Sequence, residues 1–191
     1  MAYTAKIPEW FATRRAAQVT AYFADKAGGQ INVLRATTLV YLSDRMSMAE
    51  REHPVTGDNF VAMPFGPVNT YTYSLMNGEV EQNLLHIWAE FVAPRAGYNI
   101  PLARPITSDD LDELSRSDLR ILEATWERFK DIEKYELADW THEFCPEWRD
   151  PNSSSVPIDF ATVYKHLEKS EPIELAEQIQ AERALVASFA G

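Results

Sequence analysis

An otherwise helical sequence is interrupted at residues 56–68 by the segment TGDNFVAMPFGPV. Turn-forming glycine, aspartate and asparagine residues precede the short extended run Phe60–Met63, and this order predicts a small β-hairpin. Pro64 limits the strand because proline cannot donate a hydrogen bond to a ladder. Gly66 and Pro67 then predict the start of a helix, since proline is tolerated in the first helical turn.

The residues before this segment predict two helices. The first covers residues 11–27 and ends at a glycine pair, which permits the left-handed backbone that stops a helix. The second begins at Ile31 and carries a broad apolar face, which indicates a central and largely buried helix. Its second half, residues 43–52, is polar, so we expect it to emerge into solvent. Asp44 is predicted to be a surface charge or the ion-pair partner of a neighbouring arginine.

The chain beyond residue 68 predicts further helices, separated by a second extended run and a loop. Residues 98–104 form a candidate strand that could pair with the hairpin, and residues 146–157 form a loop rich in proline, asparagine, aspartate and serine. The last helix has no single apolar face, so it is either exposed or covers two surfaces, one of them on a partner. The predicted helices cover residues 66–76, the stretch from Val80 to Pro94, the residues after the capping pair Ser115 and Asp118, and residues 135–142, 158–168 and 172–190.

These elements predict an α+β, mainly α fold: a compact helical domain with a small antiparallel β-sheet around the hairpin. Length and composition favour a single domain over residues 1–191, with C-terminal helices at residues 158–190. A chain of this size can bury roughly 70% of its unfolded surface, so it needs no disulfide or metal to fold.

The composition is acidic, with 29 aspartate and glutamate residues against 18 lysine and arginine residues and a formal net charge of −11. Because no lysine–arginine cluster is present to neutralise phosphates, we expect no direct nucleic-acid binding. An acidic protein is instead well matched to a basic partner. No apolar run approaches the roughly 20 residues of a membrane span, and the first residues lack a signal peptide's apolar run, so we expect a cytoplasmic protein without a membrane partner.

His142 and Cys145 are the residues that could carry catalysis. Three positions apart on a helix, they could face each other, and Glu143 or Asp139 could orient the imidazole. The glycine-rich surroundings of an oxyanion hole are missing, however, and a free cysteine is commonly a small buried hydrophobe. These two ligands are also too few for a zinc site, and no phosphate-binding glycine motif is present. We therefore expect a non-enzymatic protein without metal or cofactor, and a hydrolase that uses His142 and Cys145 is the weakest hypothesis.

Three segments carry a family pattern. Residues 34–44 form a helix that ends in a Tyr-Leu-x-Asp step, and residues 56–68 contain Gly-Asp-x-Phe-x-Ala followed by Gly-Pro-Val. Residues 114–118 begin a capped helix, which is followed later by Thr141-His142 and Trp148. Together these segments resemble the Panacea domain, the antitoxin domain also called SocA-like. The resemblance covers residues 15–150 and departs from the family pattern in the first segment, where arginine and threonine replace the usual lysines and aliphatic residues.

The resemblance implies a partner-binding role. Panacea proteins are encoded beside toxins, many of which inhibit translation, and neutralise them by direct binding. We expect the cognate toxin to be basic, the mechanism to be steric, and the system to be linked to phage defence or prophages. The alternative that the resemblance leaves open is a proteolytic adaptor, which delivers its bound toxin to an ATP-dependent protease.

The candidate toxin-binding residues lie in or beside residues 56–68. Phe65 is expected to point outward, because it stands between a proline and a glycine at a corner of the chain. Tyr71 and Tyr73 follow on the next helix and cannot both face inward. Exposed aromatic residues of this kind are typical interface anchors. Met63 and Asp58 complete the candidates, although the role expected of Asp58 is to accept hydrogen bonds from turn amides.

Overall fold

The computed structural model describes residues 4–190, which form eight α-helices, five short strands and one 3-10 turn. The predicted α+β, mainly α class is confirmed, because helices dominate and the strands form two small antiparallel sheets. In chain order the elements are α1 (Thr13–Lys26), β1 (Gln30–Asn32), α2 (Val33–Arg51), β2 (Phe60–Met63), β3 (Gly66–Asn69), α3 (Thr70–Met76), α4 (Gln82–Trp88), β4 (Asn99–Pro101), the 3-10 turn (Ser108–Asp110), α5 (Arg116–Phe129), α6 (Lys134–Phe144), β5 (Val156–Ile158), α7 (Phe160–His166) and α8 (Pro172–Ala190).

Helix α2 lies at the centre of the fold, where β3, α5 and α6 pack against it. The expectation that residues 43–52 emerge into solvent is wrong for the first part of this segment. Ser43, Asp44 and Ser47 are all buried beneath the packed elements. Each of the three side chains is hydrogen-bonded, for example Ser43 to the carbonyl of Leu39 at 2.8 Å, so their burial is offset by these bonds.

The predicted hairpin is present, but its second strand replaces a predicted helix start. Strands β2 and β3 pair in antiparallel register across a turn at residues 64–65. The prediction that Gly66 and Pro67 open a helix is wrong, since both lie in β3 and α3 begins at Thr70. Pro67 is tolerated because it faces Ala62 in a non-hydrogen-bonded pair on an edge strand, where no ladder bond requires an N–H from this residue.

Two other strands differ from the sequence expectation. The end of the predicted loop at residues 146–157 belongs to β5, which pairs with β2 and completes a sheet in the order β3-β2-β5. The candidate strand at residues 98–104 shortens to β4 and pairs with β1 rather than with the hairpin. Ile31 lies opposite Ile100 in that pair, and both side chains are buried. Pairing with β1 therefore buries this apolar pair, which favours the observed register.

Helix α5 begins as predicted, with a capping box between Ser115 and Asp118. Asp118 also forms ion pairs with Arg15 at 2.7 Å and with Arg51 at 2.8 Å. Burial opposes ionisation of this carboxyl, yet the hydrogen bonds from Ser115 and Arg51 and the charge of Arg15 lower its pKa below the ordinary value. Asp118 therefore connects α5 to both α1 and α2.

Helix α8 covers one surface of the protein and exposes another. Leu175 and Ile179 are buried, and the helix packs along α7. Leu185, Val186 and Phe189, near its end, are exposed. Among the helices of residues 4–190, none combines the length and the hydropathy that a membrane crossing requires.

Candidate functional site

A groove of about 500 Å³ opens between the hairpin turn, the start of α2, helix α3, the loop before β4 and the start of α6. We call it the aromatic groove because four separate parts of the chain each contribute an aromatic ring. Its wall is otherwise mostly apolar. The groove is lined by Asn32, Val33, Leu34, Thr37, Met63, Pro64, Phe65, Gly66, Val68, Tyr73, Arg95, Tyr98, Lys134 and Tyr135.

Three of the aromatic side chains are unusually exposed. Phe65 is 61% exposed, Tyr98 is 75% exposed and Tyr135 is 56% exposed. The rings of Phe65 and Tyr135 lie 6.4 Å apart, centroid to centroid, and are tilted relative to each other. Large aromatic side chains grouped around a concave surface are typical of protein–protein interfaces, where they carry much of the binding free energy.

The hairpin turn is held in place by its contact with α6. Gly66 has a φ of +121°, which side chains other than glycine rarely adopt. A Cβ atom at this position would lie 2.7 Å from the Oγ1 atom of Thr141 on α6. The glycine is therefore required twice, for the backbone conformation and for the close approach. The contact of Gly66 with α6 keeps Phe65 beside Tyr135 at the groove.

Among the described residues that line the groove, the charged ones are both cations. Arg95 donates from Nε to the carbonyl of Gly97 at 2.6 Å and from a terminal nitrogen to the Asn77 side chain, and its guanidinium lies 5.7 Å from the ring centroid of Tyr98. Lys134 forms a surface ion pair with its neighbour Glu133 at 2.8 Å. The groove thus combines aromatic surface with positive charge.

Of the candidate residues, the groove brings together Met63, Phe65 and Tyr73. Tyr71 lies elsewhere: its ring packs edge-on against Trp10 and Phe11, with centroids 5.7 Å and 5.3 Å away. Its hydroxyl accepts a hydrogen bond from Asn59 at 3.2 Å. One of the two tyrosines on α3 therefore faces the groove and the other packs against the core.

Asp58 is fully buried and has no contact surface to offer a partner. Its carboxylate accepts hydrogen bonds from the backbone N–H groups of Asn59, Tyr71 and Thr72 and from the Thr72 hydroxyl, at 2.7–3.0 Å. Burial, assisted by the nearby charge of Asp44, outweighs these donors and raises the pKa of Asp58 to about 7. Asp58 thus has the expected turn role and also anchors the start of α3.

The prediction that Asp44 is a surface charge or an ion-pair partner is wrong. The residue is completely buried, and burial raises the pKa of its carboxyl. It accepts hydrogen bonds from the backbone N–H and hydroxyl of Thr56 and from Asn69 Nδ2 at 2.7 Å. Asp44 therefore joins the central helix to both ends of the hairpin segment.

The surroundings of His142 and Cys145 disfavour a reactive pair. Cys145 is buried, and burial raises the pKa of its thiol to about 12, which disfavours the nucleophilic thiolate. His142 stacks on Trp148 with ring centroids 3.7 Å apart, and burial lowers its pKa. Its Nε2 atom has no hydrogen-bond partner in residues 4–190. Across the same residues, no group of three or more His, Cys, Asp or Glu side chains is placed to hold a metal ion.

The groove residues that were not predicted from the sequence include all of its charged residues and two of its aromatic ones: Arg95, Tyr98, Lys134 and Tyr135. Tyr135 carried a usable signal, since it stands two positions before the buried Leu137 and so lies on another face of its helix. The other three residues carried no such signal, because no short-range feature of the sequence relates the loop before β4 or the start of α6 to the hairpin turn.

Comparison with known proteins identifies one family. The model of a family described as antitoxin SocA-like, Panacea domain, matches residues 38–149, more than half of the 191 residues. Neither a curated protein nor a solved structure matches the chain. The matched range contains most of α2, the hairpin, α3 and α6, and with them most of the residues that line the aromatic groove.

Proposed function

The chain belongs to the SocA-like Panacea family, and we propose that it is an antitoxin that neutralises a toxin by binding it directly. The antitoxin-like domain supports the antitoxin role. The aromatic groove supports direct binding, because it offers exposed rings around a concave, mostly apolar surface. Phe65 at the tip of the hairpin is the residue that we assign as the main anchor, with Met63 and Tyr73 lining the same surface.

The mechanism that we propose is steric. A segment of the toxin occupies the aromatic groove, and the remaining surface of the antitoxin covers the toxin's active site or the path of its substrate. This mechanism needs no cofactor and no chemistry at His142 or Cys145. In line with the resemblance to Panacea proteins, we propose a toxin that inhibits translation, and a cytoplasmic site of action.

The overall charge supports a basic toxin as the partner. A net charge of −11 attracts a basic protein over distances longer than direct contacts. Since the Debye length is about 8 Å at physiological salt, this attraction acts mainly on the rate of association. We therefore expect added salt to slow association more than it changes dissociation.

The substitution Phe65→Glu tests the groove as the contact surface. We expect affinity for the protein encoded by the neighbouring gene to fall by at least about thirtyfold, because an aromatic interface anchor contributes ~2 kcal/mol or more. The unfolding temperature should hardly change, since the Phe65 side chain is mostly exposed. Binding is measured with purified proteins, and function by rescue of growth when the toxin is expressed.

Phe189→Glu is the matched control, because Phe189 is 83% exposed and lies on α8, outside the groove. It should retain full affinity for the purified toxin. Wild-type affinity in the Phe65→Glu variant would show that the groove is not the contact surface.

A proteolytic adaptor is the second candidate function, and the exposed apolar end of α8 favours it. Leu185, Val186 and Phe189 offer a surface on which a protease subunit could dock. An adaptor shortens the half-life of the toxin in cells only while the ATP-dependent protease is present. In that case Phe189→Glu prolongs the half-life of the toxin without weakening its binding, whereas a purely steric antitoxin inhibits the purified toxin with no protease at all.

A further inference from the structure

The aromatic groove carries a charge opposite to that of the whole protein. The chain has 29 acidic and 18 basic residues, yet within residues 4–190 no acidic residue lines the groove and its two charged side chains are Arg95 and Lys134. The carboxylate of Glu133 pairs with Lys134 but does not line the groove. A concave surface whose charged lining residues are both cations has a local potential that differs from the overall field of an acidic protein. The occupant of the groove should be complementary to this local potential.

Arg95 has hydrogen-bonding capacity to spare. Its Nε and one terminal nitrogen are used by Gly97 and Asn77, but no residue within 4–190 accepts a hydrogen bond from the second terminal nitrogen. Over the same range no carboxylate forms an ion pair with Arg95. The guanidinium is held beside the Tyr98 ring, so its remaining N–H groups are positioned in advance for an acceptor.

Lys134 can change its partner at little cost. Its ion pair with Glu133 joins adjacent residues at the protein surface, and such pairs contribute little to stability because solvent screens the two charges. Its Nζ atom also lies 4.7 Å from the ring centroid of Tyr135. Each cation therefore stands beside one of the exposed aromatic rings, Arg95 beside Tyr98 and Lys134 beside Tyr135.

Two other kinds of occupant fit this arrangement poorly. A basic segment would place like charges next to Arg95 and Lys134, which is unfavourable in a partly desolvated groove. A purely apolar segment would cover the Arg95 guanidinium and leave N–H donors without an acceptor, which also carries a free-energy cost.

We propose that the aromatic groove binds a toxin segment in which an acidic side chain stands beside a large apolar or aromatic side chain. The carboxylate accepts hydrogen bonds from Arg95 and pairs with Lys134, while the apolar neighbour packs against Phe65 and Tyr135. This inference rests on the proposed antitoxin function and specifies the chemistry of the partner at the groove. It is compatible with a toxin that is basic overall, because net charge acts during approach and the groove acts at contact.

Charge reversal in the groove tests the inference. The probe is the purified protein encoded by the neighbouring gene, and its affinity is measured for the wild-type protein and for Arg95→Glu, Lys134→Glu and Arg120→Glu. Lys134 is the first residue of α6, where a glutamate is compatible with the helix, so this variant should fold even if Arg95→Glu does not. Arg120 is an exposed cation on α5 that does not line the groove, which makes it the matched control.

We expect each groove variant to lose affinity by about tenfold or more, with the Arg120→Glu control within about twofold of wild type. Unchanged or increased affinity in Lys134→Glu would overturn the inference, since a basic or neutral occupant predicts those results.

If Phe65→Glu abolishes binding while the charge reversals do not, the proposed function stands and the inference alone fails. If the wild-type protein does not bind this probe, both fail. If the wild-type protein forms a dimer and the charge reversals dissociate it, the groove binds a second copy of the protein. That result would also overturn the inference.

Discussion

Asp44 and Asp58 are buried carboxylates that shape the segment around the hairpin. Asp44 binds Thr56 and Asn69 on either side of the turn, and Asp58 binds the first backbone N–H groups of α3. The burial of both groups is offset by hydrogen bonds, yet it still raises the pKa of each carboxyl. Single polar residues thus hold the hairpin in the position that exposes Phe65.

The raised pKa of Asp58 predicts a defined pH dependence of stability. The carboxyl titrates at about 7 in the folded protein and near its ordinary value of 3.8 when unfolded, so the folded state binds the proton more tightly. The contribution of Asp58 to the free energy of unfolding is therefore fully present below the unfolded pKa and is lost as the pH rises through the folded one. The difference in this free energy between wild type and Asp58→Asn should accordingly shrink from about pH 4 to about pH 7.

Urea denaturation at several pH values measures this difference. Asp109→Asn, a substitution of an exposed aspartate, serves as the control. A difference between wild type and Asp58→Asn that stays constant across the range would contradict the raised pKa.

At the scale of elements, the contact of the hairpin with α6 determines the aromatic groove. Gly66 on β3 lies against Thr141 on α6, while Trp148, which follows α6, donates from Nε1 to the carbonyl of Met63 at 2.9 Å. These two contacts fix the turn relative to the start of α6. Because Phe65 and Tyr135 come from the two elements, their spacing in the groove depends on this packing.

Replacing Gly66 with alanine should disturb both the stability and the groove. The backbone would be strained at φ +121°, and the new Cβ would collide with Thr141 Oγ1, so we expect a loss of about 2 kcal/mol or more in the free energy of unfolding. Gly57→Ala is the control, since Gly57 also has a positive φ of +68°, but a Cβ added there would meet no atom of residues 4–190 within 4 Å beyond its own chain neighbours.

A double-mutant cycle separates the two causes. If the collision contributes, adding Thr141→Ala to Gly66→Ala restores part of the lost stability, whereas strain of the backbone alone would leave the loss unchanged. Equal losses of stability in Gly66→Ala and Gly57→Ala would argue against a specific contribution from the close contact between Gly66 and Thr141.

At the scale of the whole molecule, Arg183 on α8 joins the two ends of the described chain to the central loop. Its guanidinium donates to the carbonyl of Gly57 at 2.6 Å and to the Asn59 side chain at 2.8 Å. The same group lies 3.9 Å from the ring centroid of Trp10 and 4.9 Å from that of Phe160. Although α8 lies outside residues 38–149, it therefore packs against the segment that carries the family pattern.

Arg183→Ala should loosen α8 from the rest of the protein. The substitution leaves the carbonyl of Gly57 without a donor and removes the cation from two aromatic rings, so we expect a loss of about 2–4 kcal/mol in stability. Hydrogen–deuterium exchange of residues 172–190 should accelerate in this variant, and the exposed control Arg120→Ala should leave it unchanged. Unaltered protection of α8 would show that Leu175 and Ile179 suffice to hold the helix.

The outline of the fold could be read from local sequence. Apolar spacing and capping residues specified most helices, including the capping box of α5 and the start of α8 at Pro172. The turn-rich segment at residues 56–63 located the hairpin. Such features follow from interactions between residues that are near one another along the chain, which is why a sequence reveals them.

The pairing of strands, the burial of polar residues and the groove were decided by contacts between distant segments. Gly66 and Pro67 were compatible with a helix start, and their place in β3 depends on pairing with β2 and packing on α6. Phe65 could be proposed as exposed from its own neighbours in sequence. Its companions Tyr98 and Tyr135 join it only because the folded chain brings three remote segments together around one cavity.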